Sequence, residues 1–201
     1  MKRAILIHCW DGYPEYCWYP YAKHELETRG FQVQIPFLPD PLPSLERWLE
    51  KMKRIIGMPD EETFFIGHSL GCATILRYVQ ALPQDQKVGG IVLVAPFVDD
   101  MGYRLLNNFF VPALDYREIK KHCASVTVIA SDNDPLVQNY HAETLRRHLH
   151  AELLIKHDGH FTESKATGVC RELPEVVGAI ENMANQIKLT IHHHEKTRVY
   201  N

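Results

Sequence analysis

The sequence predicts an α/β fold in which a parallel sheet of about six strands carries helices on both faces. Short apolar runs alternate along the chain with longer segments whose apolar residues recur at helical spacing, which is the order expected of β-α-β units. Several apolar runs are nearly continuous, as in strands that are covered on both faces. The predicted strands are residues 4–8, 31–36, 63–67, 91–95, 126–131 and 152–157.

Six helices are predicted between and after these strands, at residues 21–29, 44–56, 70–82, 116–122, 140–150 and 174–188. The second is the clearest, because Ser44 is a good N-cap and Gly57 and Pro59 end the pattern. Its apolar stripe is typical of a core-facing helix. The stripe consists of Leu45, Trp48, Leu49, Met52, Ile55 and Ile56. We expect one domain over residues 1–188 and a flexible tail over 189–201, whose three consecutive histidines at 192–194 have no fixed geometry for a metal.

Composition narrows the function classes. The 201 residues are 45% hydrophobic and 23% charged with a formal net charge of −3, which favours neither nucleic acid nor a membrane surface as a partner. No apolar run is long enough to span a bilayer, and the start of the chain is interpreted as a strand rather than a signal peptide. Five cysteines without a Cys-x-x-Cys pair predict free thiols in the cytoplasm, with no disulfide framework and no metal site.

The segment Gly67-His68-Ser69-Leu70-Gly71 predicts a nucleophile. A Gly-x-Ser-x-Gly motif between a strand and a helix places the serine on a strained turn, with its hydroxyl exposed above the sheet, as in the α/β-hydrolase fold. The Leu70 N–H is then the first expected oxyanion donor. His68 is interpreted as a packing residue, because the turn directs its side chain away from Ser69. A small-residue turn without chemistry is the alternative.

A serine hydroxyl needs a base, and the base needs an orienting carboxylate. In this fold the order along the chain is Ser, then Asp or Glu, then His. Asp134 follows the strand at 126–131 and precedes Pro135, which favours it over Asp132 as the acid; Asp132 is expected to bond nearby backbone N–H groups. His160 follows the last strand on a loop and is the predicted base.

The loop after the first strand predicts the second oxyanion donor, the Trp10 backbone N–H. Many enzymes of this fold have His-Gly there, whereas this chain has Cys9 after His8. Aromatic residues in the same loop and in a thin cap at residues 96–115 are candidates for a substrate pocket, with simple packing over the sheet as an equal alternative. The pocket candidates are Tyr13, Phe97 and Phe109.

Together these motifs resemble the small serine hydrolases related to retinoblastoma-binding protein 9 and bacterial YdeN. The resemblance spans residues 2–188. It rests on Ile7-His8, Pro39-Asp40-Pro41-Leu42-Pro43, Gly67-His68-Ser69-Leu70-Gly71-Cys72, Ile91-Val92-Leu93-Val94, Asp134-Pro135 and Gly159-His160-Phe161. It implies a compact α/β-hydrolase fold without a large cap domain, with the family's aspartate at Asp134 and its histidine at His160. The departure from the family's motifs is Cys9, which follows His8 where many such enzymes have glycine.

The expected activity is hydrolysis of small acyl esters through an acyl-enzyme on Ser69, without a cofactor. Thioesterase or peptidase chemistry on the same residues stays open, because specificity depends on pocket shape. A protein-binding module on a hydrolase scaffold also stays open, because fold does not fix function and the name of one family member records a protein partner.

Overall fold

A parallel sheet forms the centre of the molecule in the computed structural model, which describes residues 1–38, 42–123, 125–164 and 168–199. Its six strands lie in the order β2-β1-β3-β4-β5-β6, and every neighbouring pair is parallel. The predicted fold class is therefore confirmed. The strands are β1 (Arg3–Ile7), β2 (Gln32–Gln34), β3 (Thr63–His68), β4 (Gly90–Val94), β5 (Val126–Ser131) and β6 (Glu152–Lys156).

Helices cover both faces of this sheet. They are α1 (Tyr19–Thr28), α2 (Leu45–Ile56), α3 (Leu70–Gln80), α4 (Asn107–Phe110), α5 (Tyr116–His122), α6 (Asn139–Leu149) and α7 (Pro174–Val199). Apart from the end of α7, the predicted helices and strands begin and end within two residues of the observed ones. Three elements were not predicted from the sequence: α4, the 3-10 turn before it (Arg104–Leu106), and a small antiparallel pair, β7 (Glu163–Ser164) and β8 (Gly168–Val169).

The alternation of side chains along each strand builds two separate core layers. In β1, Ile5 and Ile7 pack in the layer that contains residues of α2, α3, α5 and α6, whereas Ala4 and Leu6 pack in the layer of α1 and α7. All four side chains are fully buried. Burial of each Ile or Leu side chain stabilises the fold by about 1.5–3 kcal/mol, so both faces of the sheet need an apolar cover.

The end of α7 corrects the prediction. The helix continues past Lys188 to Val199, because no glycine or proline interrupts the chain there and Leu, Lys, Glu and Arg all favour helix. The helical backbone thus includes most of the segment expected to be a tail, and the flexibility of residues 189–201 stays a prediction. Across the part of the chain that the structure describes, no helix is long and apolar enough to cross a membrane.

Candidate active site

Ser69 occupies the turn that joins β3 to α3, as its motif predicts. Its backbone lies at φ +53° and ψ −117°, in a region that non-glycine residues rarely adopt. The Ser69 N–H donates to the carbonyl oxygen of Val94 at 2.8 Å, which fixes the turn to the end of β4. The strained conformation raises the side chain above the carboxyl ends of the strands, at the start of a helix.

The glycines of the motif are required by close backbone packing. A Cβ at Gly71 would collide with the carbonyl oxygen of Ile7 and lie 2.8 Å from that of His8. A Cβ at Gly67 would lie 2.8 Å from the Cα of Cys72. The start of α3 therefore lies directly against the end of β1, and this contact brings the loop after β1 beside Ser69.

His160 connects Ser69 to Asp134 through two hydrogen bonds. Its Nε2 lies 3.0 Å from Ser69 Oγ, and its Nδ1 lies 2.8 Å from Asp134 Oδ2. A carboxylate only accepts, so Nδ1–H donates to Asp134. In the tautomer that carries its proton on Nδ1, Nε2 can accept from the serine hydroxyl. The side chains of His160 and Asp134 are 9% and 2% exposed. The three residues predicted from order along the chain are thus brought together.

Two further side chains, which the sequence did not predict as site residues, connect the loop that carries Asp134 to the loop that carries His160. The Ser131 hydroxyl donates to Asn133 Oδ1 at 2.6 Å and accepts the N–H of Asp158 at 2.9 Å. Asn133 Oδ1 also accepts the N–H of Gly159 at 2.8 Å. The sequence feature that could have identified these two residues is their position at the end of β5, next to the predicted acid. The bonds orient the segment that carries His160 against the segment that carries Asp134.

The two aspartates of this loop have roles that differ in part from the prediction. Asp134 itself makes the local bonds, since its Oδ1 accepts the N–H groups of Leu136 at 2.8 Å and Val137 at 3.0 Å. Asp132, expected to make such bonds, instead accepts from His157 Nδ1 at 2.5 Å. Its position at the exposed end of β5 explains the difference, because His157 follows the neighbouring strand β6 at the same level.

The loop after β1 has a tightly held peptide between Cys9 and Trp10. The Cys9 carbonyl accepts from His8 Nδ1 at 2.7 Å and from the Gly12 N–H at 3.0 Å. Because C=O and N–H point in opposite directions in a trans peptide, the Trp10 N–H points away from both donors. Burial raises the pKa of the Cys9 thiol to about 11, so this thiol stays protonated near neutral pH.

A cavity of about 360 Å³ opens beside Ser69 and His160. It is bounded by the loop after β1, the segment after β4 and the loop after β5, and most of its lining is apolar. The lining residues are Cys9, Trp10, Asp11, Tyr16, Ser69, Leu70, Phe97, Met101, Tyr103, Leu106, Leu136, Val137, His160 and Thr162. A larger cavity of about 550 Å³ lies near the amino-terminal ends of the strands, far from these residues, and has several charged side chains in its lining.

Of the three predicted pocket residues, one lies in the lining of this cavity and two lie outside it. Phe97 lines it, whereas Tyr13 and Phe109 do not belong to its lining. Tyr13 is exposed and packs on Tyr16, which takes the lining position. Phe109 is fully buried with its ring 6.1 Å from that of Trp48, because the short helix α4 turns it into the core.

The fold defines the class of the protein as an α/β hydrolase, and Ser69 lies in the Gly-x-Ser-x-Gly motif typical of that class. Comparison with known proteins agrees: the sequence model of the family described as "Serine hydrolase" matches residues 4–177. The chain belongs to this serine hydrolase family.

Two relatives illustrate the relation. YdeN of Bacillus subtilis (strain 168) is 32% identical over 167 residues, covering 82% of this chain and 88% of YdeN. Serine hydrolase RBBP9 of Rattus norvegicus is 27% identical over 171 residues, covering 83% of this chain and 86% of RBBP9. The crystal structure of YdeN superimposes with a TM-score of 0.85 at 29% identity, covering 92% of this chain and all of that one (100%).

More distant structures share the fold alone. Est1E of Butyrivibrio proteoclasticus has a TM-score of 0.67 at 16% identity, covering 93% of this chain and 88% of Est1E. The α/β-hydrolase arrangement therefore persists where most of the sequence has changed.

Proposed function

We propose that this serine hydrolase cleaves esters of small, uncharged acyl groups through a catalytic triad of Ser69, His160 and Asp134. The observation that carries the proposal is the position of His160, whose two ring nitrogens lie within hydrogen-bond distance of the serine hydroxyl and of a buried carboxylate. This is the geometry that general-base activation of a serine requires.

The reaction follows from these contacts. His160 Nε2 takes the Ser69 proton while Oγ bonds to the ester carbonyl carbon and the C=O electron pair moves onto the oxygen. The oxyanion accepts hydrogen bonds from the N–H groups of Leu70 and Trp10. Collapse of this intermediate expels the alcohol, which takes the proton from His160. Water then attacks the acyl-enzyme with the same base, and the acid and free Ser69 are released.

The cavity favours a small acyl group. Its volume of about 360 Å³ is near the lower end of ligand pockets, which range from about 300 to 1,000 Å³. Phe97, Met101 and Leu106 contribute apolar lining next to Ser69 and Leu70, which suits a hydrocarbon rather than a charged group. The five cysteines are free thiols, which supports the cytoplasm as the proposed location.

The test combines an activity-based probe with an ester series. Wild-type protein should be labelled by a fluorophosphonate and should hydrolyse p-nitrophenyl esters, with a rate that falls as the acyl chain outgrows the cavity. Ser69→Ala should lose labelling and at least about 10⁴-fold in kcat. Ser44→Ala, at the N-cap of α2 and not among the residues that line the cavity, is the matched control and should keep both.

Several outcomes would contradict the proposal. Equal esterase activity with and without Ser69 would show that another group is the nucleophile. Folded wild-type protein that neither labels nor hydrolyses would favour a binding module on this scaffold. Strong preference for thioesters or peptides over matched esters would keep the triad and change the substrate class.

A further inference from the structure

His68 and Tyr19 form a polar contact in the middle of an apolar layer. Both side chains are fully buried, and the Tyr19 hydroxyl lies 2.7 Å from His68 Nδ1. The ring of Trp18 packs against both, at 4.8 Å from Tyr19 and 5.7 Å from His68. Buried polar groups are costly unless each is hydrogen-bonded, so the partners of this pair are informative.

Each bond of the pair has one permitted direction. The Cys9 N–H donates to the Tyr19 hydroxyl oxygen at 3.1 Å, and His68 Nε2 lies 2.9 Å from the His160 carbonyl oxygen. A carbonyl only accepts, so Nε2–H is the donor to it. The neutral ring then accepts a hydrogen bond from the Tyr19 hydroxyl at Nδ1. Burial, followed by the proximity of His160, lowers the pKa of His68 to about 3, which agrees with a neutral ring.

These bonds join three segments that are distant in sequence. The chain of bonds, here called the Tyr19–His68 relay, runs from the Cys9 N–H through Tyr19 and His68 to the His160 carbonyl oxygen. Cys9 precedes the proposed oxyanion donor, His68 precedes the proposed nucleophile, and His160 is the proposed base. Every residue in the relay except Tyr19 therefore belongs to the proposed site or is adjacent in sequence to one of its residues, and Tyr19 connects two of them.

We propose that Tyr19 and His68 are positioning residues that hold the Trp10 N–H and the His160 ring in the correct positions relative to Ser69. The inference rests on the proposed function. The relay fixes the N–H of Cys9, while His8 and Gly12 hold its carbonyl, so both peptides flanking this residue are constrained. It also fixes the backbone of His160 next to Phe161, whose φ is +56°.

Such positioning matters because acyl transfer tolerates only small displacements of the reacting groups and of the oxyanion donors. Oxyanion donors act at about 2.7–3.1 Å from the developing charge, and a misplacement of about 1 Å can cost roughly 100-fold in rate. Such a loss affects the transition state more than the bound substrate, so it lowers kcat and leaves KM nearly unchanged. A residue that only stabilised the fold would lower the melting temperature without this split.

Tyr19→Phe tests the relay, because it removes one oxygen and keeps the packed ring. We expect kcat for p-nitrophenyl acetate to fall about 10- to 100-fold with KM within about twofold of wild type. Inhibition by a phenylboronic acid, which forms a tetrahedral adduct on serine, should weaken by a similar factor. Tyr78→Phe, a buried tyrosine whose hydroxyl reaches Gly57 instead of the site, is the matched control and should change neither.

The outcomes separate the relay from the proposed function. A folded Tyr19→Phe protein with wild-type kcat and boronate affinity would overturn the relay and leave the triad intact. Wild-type protein without Ser69-dependent turnover would overturn both.

A measurement on the wild type covers the case in which Tyr19→Phe does not fold. Ring ¹⁵N shifts should show His68 as the neutral Nε2–H tautomer from pH 8 to pH 5. A Nδ1–H tautomer, or a protonated His68 ring at pH 5, would also overturn the relay.

Discussion

The loops after β5 and β6 contain two Asp–His pairs of the same chemistry in different surroundings. Asp134 and His160 are 2% and 9% exposed and meet at 2.8 Å, whereas Asp132 and His157 are 54% and 75% exposed and meet at 2.5 Å. The exposed pair is solvated and screened, and such surface pairs contribute at most about 1 kcal/mol to stability. The buried pair is shielded from water and reaches Ser69. Contact distance alone therefore does not distinguish a proposed catalytic pair from a solvated Asp–His contact at the surface.

The largest expected effect comes from removing the two histidines in turn. His160→Ala removes the proposed base and should lower kcat by about 10⁵-fold or more, as in other serine hydrolase triads. His157→Ala should stay within about twofold of wild type, because its ring does not reach the serine. Steady-state hydrolysis of p-nitrophenyl acetate measures both. Comparable losses in the two variants would contradict the assignment of His160 as the base.

Replacing each aspartate separately by asparagine sharpens the comparison between the buried and the exposed Asp–His pair. Asn at position 134 keeps an oxygen for the N–H groups of Leu136 and Val137 but presents an amide to His160, which favours the wrong tautomer of the ring. We expect Asp134→Asn to lower kcat by about 10³- to 10⁴-fold with little change in the melting temperature.

The matched variant is Asp132→Asn, which alters only the exposed pair. Its kcat should stay within about twofold of wild type. If both variants lost activity equally, the two pairs would have to act as one unit.

The smallest expected effect concerns stability in acid, where buried and exposed histidines should again differ. The pKa of buried His68 is about 3 in the folded state against about 6.5 when unfolded. Between these values the unfolded chain binds the extra proton, so the unfolding free energy falls as the pH drops below about 6.5. From pH 7 to pH 5 this amounts to about 2 kcal/mol.

Urea unfolding at pH 7, 6 and 5 measures this dependence. His68→Gln should flatten it, whereas the exposed control His157→Gln should keep the wild-type dependence. His8, whose pKa burial also lowers, contributes in the same direction in all three proteins. An unchanged dependence in the His68 variant would show that His68 is not held neutral by the fold.

The sequence by itself determined the layered fold and the order of the candidate site residues. Periodicity is local, so apolar runs and helical stripes placed nearly every strand and helix, and Ser69, Asp134 and His160 each stand after their own strand. At Gly67 and Gly71 of the serine motif the backbones approach so closely that only glycine fits. The short helix α4 was not predicted, because a four-residue helix has too little periodicity to be recognised. The end of α7 was placed too early, although the residues after Lys188 favour helix.

Only the tertiary structure decided which side chains meet. The pairing of Asp132 with His157 depends on the register of β5 against β6, where Ser131 lies opposite Lys156, and no local pattern encodes that register. Likewise, Tyr19 and His68 are 49 residues apart and meet because α1 packs under the end of β3. Burial then distinguished the two Asp–His pairs, since solvent access depends on every segment that packs around them.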